Sequence, residues 1–167
     1  MIPVKNFQPV KPKSDRHSIG GILAVAAVAG MVVSHHATAE DTLELATGKA
    51  GYFLTRDVKT AADLKTFSEQ NQLYPDAGGF ETPFLVGGSV QAADYDEVWV
   101  EGEVLDASMD AATTIGCPVT TNAGKIAEVT NAATQEVLGV VEKNIAAVNG
   151  AGRRFLIRVQ RDGRGTP

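Results

Sequence analysis

At 167 residues the chain has room for a single domain with arms. Its 44% apolar content supports a core, and 6% aromatic residues with 17 glycines suit short strands and tight turns better than packed helices. A net charge of -5 argues against wholesale nucleic-acid binding, which needs a basic stripe to displace the counterions of phosphates.

Residues 1–18 carry no helical period. Pro3, Pro9 and Pro12 fix φ and bias their predecessors toward extended backbone, so this stretch reads as an extended N-terminal arm. Its scattered side chains Ile2, Val4, Phe7, Pro9, Val10 and Pro12 are the candidates for contact with a partner, by strand addition or by lying in a groove. Residues 19–161 then form one β-rich domain, and 162–167 a C-terminal tail. Residues 1–39 also have the form of a secretion signal. Lys5, Lys11, Lys13 and Arg16 supply charge, Ile19 to Val33 the apolar run, and Ala37-Thr38-Ala39 a small-residue cleavage site. The prolines and Asp15 in the basic region oppose that form. A membrane span is not expected, because the Gly- and Ala-rich apolar run falls short of the roughly 20 residues a span needs.

From Ile22 to Ser34 the apolar run, broken at Gly30, predicts two buried strands. Thr42-Leu43-Glu44-Leu45 alternates, and with Gly48 as a turn it predicts a hairpin to Gly51–Arg56. One short helix is expected, capped by Thr60 with Asp63 in its first turn, apolar at Ala62, Leu64 and Phe67, and ending near Gln70 to Gln72. The Pro- and Gly-containing stretch from Tyr74 to Thr82 reads as a loop. Two short strands follow around the Gly87-Gly88 break. Glu97 to Val104 alternates cleanly, with Val98, Val100, Gly102 and Val104 on one side and Trp99, Glu101 and Glu103 on the other. The last strand places Phe155, Ile157 and Val159 on one face, and Arg154, Leu156, Arg158 and Gln160 on the other. A faint repeat of glycine, strand, turn, alternating strand and glycine-led strand links residues 30–58 to 116–145. The expected fold is mainly β: a small antiparallel β-barrel or β-sandwich with one short helix.

Charge is segregated. Asp94, Asp96, Glu97, Glu101, Glu103, Asp106 and Asp110 follow one another without a base, while Arg153, Arg154, Arg158, Arg161 and Arg164 crowd the C-terminal stretch. Such runs are either solvated faces or patches that meet between subunits. On the second reading Trp99, Glu101, Glu103, Arg154 and Arg158 are the subunit-interface candidates. No phosphate loop, nucleotide fingerprint or nucleophile elbow is present. His35-His36 are adjacent, so on a strand they point apart and do not readily share a metal. The lone Cys117 excludes an internal disulfide and reads as a small core residue. No catalytic residue, cofactor or metal is expected, and the chain is read as non-enzymatic.

The stretch Cys117-Pro118-Val119-Thr120-Thr121-Asn122-Ala123-Gly124-Lys125, its alternating strand and the following Val137-Leu138-Gly139-Val140-Val141 resemble the small capsid decoration (cement) proteins of tailed phages. Gly48 to Val58 looks like the same theme. The likeness covers about half the chain, residues 30–58 and 116–159, and omits the helix and the acidic strand. It implies a compact β-barrel or β-sandwich on the outer surface of a virion, assembling with itself, often as a trimer. Such a protein clamps neighbouring major capsid proteins, sometimes through an N-terminal arm, and binds neither nucleic acid nor membrane. The other reading is a secreted or surface-displayed β-domain that binds a carbohydrate or protein, with residues 1–39 as its signal peptide.

Overall fold

The alternating runs become short strands in the computed structural model, which describes residues 6–12, 18–64 and 83–160. They are β1 (Phe7–Pro12), β2 (Ser18–Leu23), β3 (Val32–His35), β4 (Thr42–Leu45), β5 (Tyr52–Leu54), β6 (Val58–Lys59) and β7 (Phe84–Leu85). After these come β8 (Ser89–Ala93), β9 (Tyr95–Glu101), β10 (Pro118–Asn122), β11 (Lys125–Glu128), β12 (Gly139–Ala146) and β13 (Arg153–Val159). A 3-10 turn, Gly102–Val104, ends β9. The helix is a single turn at 61–64 among the described residues. Thr60 caps it as expected: its Oγ1 accepts the Asp63 N–H at 3.3 Å and donates to Asp63 Oδ2 at 2.8 Å. Phe67 and the expected helix end lie outside the described residues.

Strands β2-β4-β3-β5-β8 close into a five-stranded barrel, and a six-stranded sheet runs β1-β9-β13-β12-β10-β11. All pairings in the barrel are antiparallel except β2 with β4. The expected mainly β fold is therefore present, but the β4–β5 hairpin is not. Both strands pair with β3 instead, Val33 opposite Leu45 and Val32 opposite Phe53. The first apolar strand also starts earlier than expected, with Gly20 and Gly21 inside β2 rather than before it. A Cβ on Gly21 would stand 2.8 Å from the Asp41 carbonyl oxygen, so the glycine marks a close approach and not a break.

The faint sequence repeat is a repeat of pairing. β10 sits between β11 and β12 as β3 sits between β4 and β5. Gly30 N donates to Leu54 O at 2.9 Å and Leu54 N to Met31 O at 2.8 Å; Gly116, Val141 and Cys117 make the same two bonds at 2.7 and 3.0 Å. Gly30 and Gly116 both hold left-handed backbone, φ 93° and 89°, which favours glycine at each start. β13 flanks β12 and β9 as β8 flanks β5 and β2, and Leu105 bridges Ile126 in parallel as Leu23 meets Leu43. The second circuit differs in two ways. The 3-10 turn interrupts the strand before that last bridge, and β1 occupies the free edge of β9.

Two apolar clusters fill the molecule. One gathers Leu23, Val33, Leu43, Leu54, Val58 and Val90, and the larger gathers Phe7, Phe53, Val98, Ile126, Phe155 and Ile157; Met31 packs against both. Phe155 and Ile157 have no exposed surface, in line with the face read from the sequence, and Val159 is partly buried at the margin. Replacing Ile157 with alanine is expected to lower stability by about 2–5 kcal/mol, measured by urea unfolding, since transfer and cavity costs add.

Candidate interaction surface

The outer face of the six-stranded sheet is where the interface candidates fall, and its rows follow from register. Inward side chains Val98, Val100, Phe155 and Ile157 leave Glu97, Trp99, Glu101, Arg154, Leu156 and Arg158 on the opposite face. Glu101 lies opposite Arg154, Trp99 opposite Leu156, and Glu97 opposite Arg158. On the other side of β9, Gln8 stands opposite Trp99 and Lys11 opposite Glu97. Lys11 Nζ is 3.4 Å from Glu97, and Arg158 Nε is 3.6 Å from Glu142, giving one row of alternating charge with much of its surface in water.

The neighbouring ion pair is different in kind. Arg154 Nη1 lies 3.1 Å from Glu101 Oε2, with side chains only 6% and 1% exposed. The guanidinium also donates to Gln8 Oε1 at 3.0 Å and stands 5.2 Å from the centroid of the Trp99 ring. The Glu101 carboxylate accepts the N–H groups of Val148 and Asn149 at 3.0 Å each, so it ties the tip of the β12–β13 hairpin to the end of β9. Burial alone would push the Glu101 carboxyl up; the Val148 N–H, Arg154 and the Asn149 N–H together outweigh it and hold the group below the ordinary carboxylate range.

These contacts correct two expectations. Glu101 and Arg154 are partners of each other inside one chain and are too buried to form a patch on a neighbouring subunit. Glu103 does not share their strand face, because β9 ends at Glu101 and Gly102, with φ 65°, turns the chain. Glu103 and Arg158 remain exposed and Trp99 half-buried. A third correction concerns Phe7, which is buried in the protein's own core. It stacks on Phe53 at 5.5 Å between centroids and meets Tyr95 edge-on at 5.7 Å. Phe7 to Pro12 is thus an edge strand, where proline is tolerated because one side of the strand needs no donors. Pro9 and Val10 are exposed and Pro12 ends the strand. Ile2 and Val4 lie outside the described residues.

Sequence reasoning missed Asn6, Gln8, Val148 and Asn149, which act through backbone groups or amides that carry no periodic signal. It also missed Ile115 and Val148, exposed apolar side chains at 71% and 57%. An isoleucine in the polar turn Thr113-Thr114-Ile115-Gly116 was the available sign.

No group of three or more His, Cys, Asp or Glu side chains that could hold a metal ion occurs among the described residues. His36 Nδ1 accepts the N–H groups of Thr38 and Ala39 at 3.2 and 3.1 Å, a local turn-forming role. Burial pushes the Cys117 thiol up, and the Glu128 charge adds to this, so the thiolate is disfavoured. Asp106 accepts the Ser108 N–H and an Asn122 amide, each at 3.0 Å. The Ser108 N–H leads in holding its carboxyl low, against burial, with further help from the Ser108 hydroxyl, Asn122 and Lys125. Both lowered carboxyls stabilise the fold above their unfolded pKa values, and that stability is lost as pH falls through the folded ones. Melting temperature is therefore expected to hold from neutral pH down to about pH 4 and to fall steeply below it. Glu101→Gln should flatten that acid limb.

No family model matches the chain, and no curated protein does. Among solved structures it is similar to the N base of the head fiber protein gp8.5 of bacteriophage phi29, at 13% identity and a TM-score of 0.50. The alignment covers 87% of this chain and 95% of that one. At that identity the likeness is one of fold.

Proposed function

We propose that this chain is a structural, non-catalytic protein of a tailed-phage head, a decoration or cement protein that binds the outer capsid surface and stabilises contacts between major capsid proteins. The observation that carries this reading is the fold shared with the base of a head fiber over nearly the whole of both chains. The strand phrases that resemble decoration proteins support it from the sequence side. Attachment through many weak contacts on a shell gains by avidity, so a small surface suffices. Self-association, with a trimer favoured, belongs to the same reading. Half-buried Trp99 and exposed Glu103, Arg158, Pro9 and Val10 are its contact candidates.

The secreted-domain reading loses support from the fold. Residues up to Ala39 supply β1, β2 and β3, with Phe7, Leu23, Val32 and Val33 buried. Cleavage there would remove the strand on which both β4 and β5 pair.

The test is to mix the purified chain with heads that lack it and to sediment them at low and high salt. Saturable co-sedimentation is expected, reduced by Arg158→Glu if charge orients docking. Protein left wholly in the supernatant at every salt concentration would overturn the proposal.

A further inference from the structure

The tip of the β12–β13 hairpin is held at one point and left open just beyond it. Asn149 N donates to Glu101 Oε1 at 3.0 Å, and Asn149 Nδ2 donates to Asn6 Oδ1 at 3.3 Å. The next residue, Gly150, is exposed with φ 139°, and a Cβ there would meet nothing within 4 Å. With no Cβ at 150 and open space where one would stand, no side chain of its own crowds its amide nitrogen.

The other described asparagines lack this arrangement. Asn122 precedes Ala123, whose N–H is taken by Thr47 Oγ1 at 2.9 Å. Asn144 lies within β12, and its Oδ1 holds Arg153 Nε at 2.6 Å. Asn6 precedes the buried Phe7, and Asn131 Oδ1 accepts the Ala133 N–H at 3.1 Å.

We propose that Asn149–Gly150 is a site of spontaneous deamidation, a slow irreversible modification that loosens the hairpin anchor. The Gly150 nitrogen loses its proton and attacks Asn149 Cγ. The new N–Cγ bond forms as Cγ–Nδ2 breaks, and Nδ2 leaves as ammonia. Water then opens the resulting succinimide. Cleavage of the bond to Cγ gives aspartate, and cleavage of the bond to the main-chain carbonyl carbon gives isoaspartate. The net change is one water gained and one ammonia lost, with no oxidant or reductant.

Either product alters the anchor in a defined way. A carboxylate at 149 no longer donates to Asn6 Oδ1, and it adds negative charge beside the buried Glu101 carboxylate. Isoaspartate also routes the main chain through Cβ, lengthening the turn after the very N–H that Glu101 holds. The site joins the segment before β1 to the hairpin before β13, so its conversion weakens both attachments together.

The full chain, held in warm, mildly alkaline buffer, would be digested at intervals and examined by peptide mass spectrometry with enzymatic isoaspartate labelling. Asn149 is expected to convert before the other described asparagines, as a mixture of aspartate and isoaspartate, with a fall in the melting temperature of the converted fraction. Asn149→Gln, treated alike, should keep its amide and its melting temperature. Should that variant not fold, the time course of the unaltered chain decides alone. An Asn149 that stays intact while Asn6, Asn122, Asn131 or Asn144 converts would overturn the proposal. So would a converted fraction that melts unchanged.

Discussion

Arg154→Ala is expected to cost about 3–5 kcal/mol of stability, the penalty for leaving a buried charge without its partner. Glu101 would keep its two backbone donors but lose the guanidinium that offsets its burial. Gln8 and the Trp99 ring would lose their cation at the same time. Arg154→Lys retains the charge without the planar fork that reaches both Glu101 and Gln8, so an intermediate loss is expected. Urea unfolding of the isolated chain measures both. A loss of only about 0–1 kcal/mol for Arg154→Ala would mean that the pair behaves as a solvated surface bridge and does not anchor the hairpin.

The second large effect is expected at the other end of the chain. Phe7→Ala should destabilise the protein by about 3–5 kcal/mol, as removal of a buried aromatic generally does. The ring is 6% exposed and belongs to a three-ring cluster with Phe53 and Tyr95, so truncation leaves a cavity lined by aromatic edges and by Gly30. A Cβ on Gly30 would come within 2.5 Å of Phe7 Cβ, a measure of how closely the strand is seated. Had residues 1–18 been an arm lying on a partner, the substitution would leave the isolated chain's melting unchanged and impair attachment alone. The melting curve of the chain by itself separates these outcomes.

How much of this was legible depends on the distance over which each signal acts. The alternation of β9 and β13 is local, and the faces read from it place Val98, Val100, Phe155 and Ile157 correctly in the core. The Thr60 cap is equally local. Strand partners are not: β4 and β5 flank β3, although the nearest turn suggested that they pair with each other. The charge runs contain Glu101 and Arg154 but not the geometry in which they pair. Glu101 and Arg154 are 53 positions apart, and nothing in either run says that they meet across one ladder within a chain. Prolines misled in the same way at β1. They exclude a central strand, yet an edge strand accepts them, and only the partner strand β9 shows which applies.

The doubled circuit also sets a timetable for synthesis. Every strand of the five-stranded barrel lies between Ser18 and Ala93, so its pairings can close before β10 has been made. β1 leaves the ribosome before the other twelve described strands but must wait for β9 to find its place, and Phe7 has no Val100 to face until then. Such long-range closure is slow, because the loop entropy is lost before the contact is gained. During that interval the first strand is unpaired, with its proline and lysine residues discouraging contact with other nascent chains. Of the thirteen described strands, the one made before the others is thus among the last to be fixed.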